Sequence, residues 1–191
     1  LVEGTSYYFV VRAYVGTAES DDSNEVNHIS EAAQSTTYTI STNAGTNGTI
    51  SPTSATVNAG DSQTFTITPD TGYHVEDVFV DGISAGAVTT YTFSAVDADH
   101  SISASFAVDD YTIQASASLG GVISPLGAVS VSYGGSQSFT ITPDTGYHVE
   151  DVLADGISAG AVTTYTFSAV DADHTISASF AVDTITIQAS A

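Results

Sequence analysis

Residues 65–109 and 139–183 are one stretch of sequence written twice, 74 positions apart. Only Phe79/Leu153, Val80/Ala154 and Ser101/Thr175 differ between them. Upstream the match thins but continues at an offset of 73, with Tyr38-Thr39-Ile40 against Tyr111-Thr112-Ile113 and Ile50-Ser51-Pro52 against Ile123-Ser124-Pro125. The second copy therefore holds one extra residue between Pro125 and Gly135. Thr186 to Ala191 repeats Thr112 to Ala117 and reads as the first strand of a third copy. Self-similarity of this kind makes each copy a structural unit. The chain divides into a head piece (1–26) with a linker (27–37), a first repeat (38–110), a second (111–183) and the opening of a third (184–191). The junctions at Asp109-Asp110 and Asp183-Thr184 contain no Gly, no Pro and no Ser-rich spacer. So short a joint favours a stiff array over beads on a string.

Within a repeat the hydrophobic period is two. Phe65 and Ile67 alternate with Thr64, Thr66 and Thr68, Tyr91 and Phe93 with Thr90 and Thr92, and Ile102, Ala104 and Phe106 with Ser101, Ser103 and Ser105. This is the pattern of half-buried strands. Pro69-Asp70-Thr71-Gly72 breaks one strand from the next, and Asp81-Gly82 between Val80 and Ile83 is a hairpin signal. Val75 and Val78 are three apart, which requires a bulge or a single helical turn. Six or seven short strands fit each repeat. The expected core is Tyr38, Phe65, Ile67, Val75, Val78, Tyr91, Phe93, Ile102 and Phe106 with their counterparts. The expected fold class is all-β: tandem small antiparallel β domains, sandwich-like with a β-grasp-like sheet as the alternative, in a rod-like array.

Composition then excludes whole classes of chemistry. One Arg and no Lys stand against 22 Asp and Glu, a formal charge of −21. Such a chain has a single fixed cation with which to neutralise phosphates, and an anionic membrane surface repels it. Without Cys there is no disulfide, thiolate nucleophile or Cys-ligated zinc. Without Lys there is no Schiff base. The apolar fraction of 42% is too high for a disordered acidic tail, yet no apolar run is long enough to span a membrane. There is no Met and no signal-peptide pattern, and the chain reads as an excerpt of a longer polypeptide.

Three places hold residue types that carry chemistry. Val-Asp-Ala-Asp-His at 96–100 and 170–174 offers Asp97 and Asp99 with His100, and Asp171 and Asp173 in the second copy, as ligands for Ca²⁺ or a transition metal. The competing reading is a polar turn whose carboxylates bond local N–H groups, because calcium takes six to eight oxygens. Asp109 and Asp110 at the joint are further candidates for a bridging Ca²⁺. His74 lies near Glu76 and Asp77, and a general acid–base pair competes there with a solvent-exposed bulge. No cofactor is required. Asn47-Gly48-Thr49 fits a glycosylation sequon that the second copy lacks. Tyr133 is not matched by a tyrosine in the first repeat and reads as a local packing change.

The run from Tyr38-Thr39-Ile40 through Ile50-Ser51-Pro52, Phe65-Thr66-Ile67-Thr68-Pro69-Asp70, Gly72-Tyr73-His74-Val75, Asp81-Gly82 and Tyr91-Thr92-Phe93 to Phe106 resembles the divergent internalin B-repeat of bacterial extracellular proteins. Both copies carry it. The resemblance implies secreted or surface-anchored proteins with copies in series, and no catalytic residues. Leu1, Thr5, Tyr7, Val11 and Ala13, with Gly16, Glu19-Ser20 and Ser23-Asn24-Glu25-Val26, resemble the last strands of a fibronectin type III domain, with Tyr7 at its corner tyrosine. The expected role is a structural spacer or assembly segment of a stalk or fibre, not an enzyme. The alternative is an adhesin for a host protein, matrix or glycan ligand. Apolar ribbons at both ends are expected to be covered by a longer chain or by neighbouring copies, through strand addition or head-to-tail contact.

Overall fold

The computed structural model describes residues 6–9, 12, 14–19, 26–29, 35–185 and 187. In the head piece β1 (Ser6–Phe9) pairs antiparallel with β4 (Val26–Ile29), and β2 (Tyr14–Val15) pairs with β3 (Ala18–Glu19). Leu1, Thr5, Val11, Ala13, Ser20 and Ser23 to Glu25, on which much of the fibronectin-like resemblance rests, lie outside the described residues. So do Thr186 and Gln188 to Ala191 of the third copy.

The first repeat has eight strands: β5 (Thr37–Ala44), β6 (Gly48–Ser51), β7 (Ser54–Asn58), β8 (Gln63–Pro69), β9 (Tyr73–Val80), β10 (Ile83–Gly86), β11 (Thr90–Phe93) and β12 (His100–Val108). The second has the same eight: β13 (Asp110–Ala117), β14 (Gly121–Ser124), β15 (Gly127–Ser132), β16 (Gln137–Pro143), β17 (Tyr147–Ala154), β18 (Ile157–Ser158), β19 (Thr164–Phe167) and β20 (His174–Val182). Each repeat makes a five-stranded sheet, in the order β10-β9-β12-β5-β7 and its equivalent β18-β17-β20-β13-β15. A three-stranded sheet, β11-β8-β6 or β19-β16-β14, accompanies it. No helix occurs among the described residues.

Two features correct the expectation of purely antiparallel domains with six or seven strands. The count is eight, and one pair in each large sheet is parallel: the first strand against the last, with His100 opposite Ile40 and His174 opposite Ile113. A parallel pair needs a long crossover, and here the six intervening strands supply it.

Alternation decides which side chains meet between the sheets. On β8, Phe65 and Ile67 are buried while Thr64, Thr66 and Thr68 face solvent. Ile40 from β5, Val75 and Val78 from β9 and Ile102 from β12 meet them from the larger sheet. The layering is that of a sandwich. Phe65 and Phe93 contact edge to face, with centroids 5.9 Å apart, and Phe139 and Phe167 repeat the contact at 6.2 Å. Each such side chain, once buried, stabilises its repeat by roughly 1.5–3 kcal/mol. Of the expected core, Tyr38, Tyr91 and Phe106 are only half-buried against it, while Ile40, Ile50, Val57, Val96 and Ala104 belong to it as well. The two cores are separate clusters, one per repeat.

The slip between Val75 and Val78 is a β-bulge. Ser105 lies opposite Asp77 and Phe106 opposite Val75, so Glu76 is skipped and both valines face inward. Asp81 and Gly82 turn the β9–β10 hairpin with φ of +50° and +80°. Positive φ at both central residues matches the right-handed twist of the strands they join.

Candidate functional site

The joint between the repeats is the place where residues of both units meet. β12 ends at Val108 and β13 starts at Asp110, which leaves Asp109 as the whole connection. Its backbone is tied on both sides. The Asp109 N–H donates to the Gly72 carbonyl at 2.8 Å, and the Tyr133 N–H donates to the Asp109 carbonyl at 2.8 Å. Gly72 closes the β8–β9 turn of the first repeat, and Tyr133 follows β15 of the second. The Tyr133 ring lies flat enough on Gly72 that a Cβ there would overlap it, and Gly72 has φ +80°. Tyr111 sits beside it, with ring centroids 6.5 Å apart.

Carboxylates line this joint and are engaged. Asp109 Oδ1 is 2.7 Å from His74 Nδ1, and Asp110 Oδ1 accepts the Ser132 hydroxyl at 2.6 Å. His74 therefore pairs across the strand with the joint, not with its sequence neighbours Glu76 and Asp77. Desolvation raises the Tyr111 phenol above its ordinary pKa, and the charges of Asp109 and Asp171 add to this by opposing a phenolate.

The Val-Asp-Ala-Asp-His loops are built as caps. Asp99 Oδ1 accepts the Thr39 N–H at 2.7 Å, and Asp173 Oδ1 accepts the Thr112 N–H at 2.8 Å. Each ties the loop before the last strand to the first strand, beside the parallel pair. Asp97 and Asp171 face solvent. Among the described residues no three His, Asp or Glu side chains converge as a metal site would require. The calcium reading of Asp97, Asp99, Asp109, Asp110, Asp171 and Asp173 thus gains no ligand set there, and four of these carboxylates already accept hydrogen bonds.

Asp81 and Asp77 carry more structure than their sequence context announces. Asp81 Oδ1 accepts the Ser101 N–H at 2.8 Å, and Oδ2 is 2.7 Å from His100 Nδ1. The Ser101 backbone donor and then the His100 hydrogen bond hold the Asp81 carboxyl below its ordinary pKa. For Asp155, desolvation acts upward, but the Thr175 N–H and His174 outweigh it and the pKa is again lowered. Asp77 Oδ1 accepts from the Val78 N–H, the Ser84 hydroxyl and the Gly86 N–H at 2.8 to 3.0 Å, so its lone pairs are taken by the hairpin. A shallow recess of about 320 Å³ lies beside Ser118 and Leu153. Its one carboxylate is Asp151, the counterpart of Asp77, with the same three donors.

The family model of the divergent InlB B-repeat domain matches residues 38–110 and again 111–184. No curated protein and no solved structure matches the chain.

Proposed function

This chain belongs to the divergent InlB B-repeat family, and we propose that it is a non-catalytic spacer segment of a bacterial surface or extracellular protein. Tandem B-repeats form a structural repeat region. The observation that carries the finer reading is the joint: two repeats with separate cores are linked by one residue whose N–H and C=O are both bonded, one to each repeat. A repeat of this size is roughly 30 Å across. Length then grows with copy number, and a bonded joint keeps the sum of lengths from collapsing. The charge of −21 keeps neighbouring chains apart and soluble. On this reading the head strands are the end of a fibronectin type III-like module, and the partners are further copies, in series or by strand addition.

Small-angle scattering tests it on the full chain. The spacer reading expects one maximum dimension that changes little with salt, and a shorter, broader distance distribution once Gly-Gly-Ser is inserted between Asp109 and Asp110. An unchanged distribution after that insertion overturns the stiff-joint reading. Saturable binding to a glycan array or matrix protein would replace the spacer with the adhesin.

A further inference from the structure

The second repeat ends in the same platform that the first repeat uses to receive its neighbour. At the first joint, the turn Pro69-Asp70-Thr71-Gly72, the Asp109 backbone and the His74–Asp109 pair surround the place where the Tyr133 ring sits. At the end of the second repeat, Pro143-Asp144-Thr145-Gly146 is the same turn, with Gly146 at φ +85°. The Asp183 N–H donates to the Gly146 carbonyl at 2.8 Å, and His148 Nδ1 lies 2.9 Å from Asp183 Oδ1. All the parts are present except the ring: among the described residues nothing lies within 4 Å of a Cβ placed on Gly146.

The tyrosine itself distinguishes a repeat that follows another repeat from one that does not. The position of Tyr133 is Ala59 in the first copy, which follows the head piece. The backbone there is the same, since the Ala59 N–H donates to the Thr36 carbonyl as the Tyr133 N–H donates to Asp109. At this corner the difference is the aromatic side chain.

Three described apolar residues at the end of the second repeat and just after it are exposed as well. Val182, Ile185 and Ile187 are 62%, 87% and 87% exposed. Their first-joint counterparts Val108 and Tyr111 are half-buried, and Ile113 is fully buried. Ile187 holds the position that Ile113 fills in the core of the second repeat, so the covering unit is another repeat.

We infer that the Gly146 turn, with Asp183 and His148, is a docking seat for one aromatic side chain: the tyrosine that a following B-repeat carries at the Tyr133 position. The seat uses glycine because the ring must lie against the backbone. Contact with a π-face through the turn, with the two backbone hydrogen bonds at the joint residue, fixes the angle between successive repeats. The inference deepens the spacer reading and rests on it.

The test extends the full chain past Ala191 with a copy of residues 118–183, which completes a third repeat with its own copied tyrosine. A ring stacked on a glycine displaces the glycine Hα resonance upfield. In the unextended chain Gly72 Hα is expected to show this displacement and Gly146 Hα is not. In the extended chain Gly146 Hα is expected to move to a Gly72-like shift. Tyr133→Ala made only in the added copy is expected to abolish that movement. An unmoved Gly146 Hα with the added copy folded overturns the seat, as does a movement that persists with the alanine. A concentration-dependent shift in the unextended chain also overturns it, in favour of a second copy as occupant. Scattering on the same samples separates the two readings. Length that grows by one repeat with Gly146 unmoved leaves the spacer standing and removes the seat. Length that fails to grow removes the spacer.

Discussion

The two repeats are nearly the same molecule built twice, and they differ most where they face something other than themselves. From Phe65 to Asp109 and from Phe139 to Asp183 even the hydrogen bonds recur, with His100–Asp81 and His174–Asp155 both at 2.7 Å. The N-terminal thirds diverge. The extra residue of the second copy is absorbed as one more rung in an edge ladder: β5 and β7 pair from Thr37–Asn58 to Ser41–Ser54, whereas β13 and β15 continue to Ala115–Gly127. Where the ladder is shorter, Thr42 sends its hydroxyl to the Thr53 carbonyl at 2.6 Å; its counterpart Ala115 has no hydroxyl and is buried instead. At the corner after that ladder, Ala59 becomes Tyr133, and a surface position becomes the contact between domains. The same core tolerates different edges because burial between the sheets is settled by the strands that did not change.

The largest break in this symmetry comes from the cores. Phe65→Ala and Phe139→Ala each remove a fully buried ring, and each is expected to destabilise its own repeat by about 3–5 kcal/mol. A small domain has about that much stability in total. Amide hydrogen exchange is expected to show the altered repeat unprotected and the other still protected. Loss of protection in both repeats would show that the two cores fold as one unit.

Gly72→Ala against Gly146→Ala sharpens the comparison at the joint. Both glycines sit at positive φ, +80° and +85°, where any other residue costs about 1–2 kcal/mol. At Gly72 the new methyl must also displace the Tyr133 ring, and that overpacking adds about 1–3 kcal/mol. Denaturant unfolding is expected to show the larger loss for Gly72→Ala. Equal losses would mean that the ring moves aside without cost.

Acid is expected to act on both repeats alike. Asp81 and Asp155 have carboxyls held below their ordinary pKa of 3.8. A lowered folded pKa means that the contribution to stability is complete above about pH 3.8. It fades as the pH falls through the lower folded value. Asp81→Asn and Asp155→Asn keep a residue tolerant of positive φ and remove the charge. Each is expected to cost about 0.5–1 kcal/mol near neutral pH, a modest figure because the groups are nearly half exposed, and to flatten the acid side of the stability profile. A variant with unchanged acid dependence would show that the lowered pKa lies elsewhere.

The smallest effect concerns cations. With a charge of −21, salt is expected to raise the melting temperature by relieving self-repulsion. Ca²⁺ is expected to do no more than NaCl of matched ionic strength, since Asp99, Asp109, Asp110 and Asp173 are already engaged. A larger shift with Ca²⁺, lost in Asp109→Asn, would restore the joint as a cation site.

Local features were legible in the sequence because local chemistry causes them. Alternation of Phe65 and Ile67 with threonines places them inward on any strand. Asp81-Gly82 specifies its own hairpin, and the three-residue step from Val75 to Val78 can face one core only through a bulge. Ile40, Ile50 and Val57 are harder to foresee as core, since short strands between glycines offer too few residues to show a period. The joint was half legible: Tyr133 without a partner in the first copy is a signal, but nothing near it in sequence names Gly72.

What the sequence by itself determined is the repeat, read from its self-similarity, and the turns and inward residues of its longer strands, which are consequences of residues within a few positions of one another. Only the tertiary structure decided what distant residues do together. The pairing of β5 with β12 is parallel and closes across the whole repeat, so no turn encodes it. His74 passes over its neighbours Glu76 and Asp77 to reach Asp109, because the bulge and the strand pairing bring the joint closer than the sequence does. Tyr133 finds Gly72 for the same reason: the contact belongs to two folded surfaces, and neither surface exists until each repeat has closed its own core.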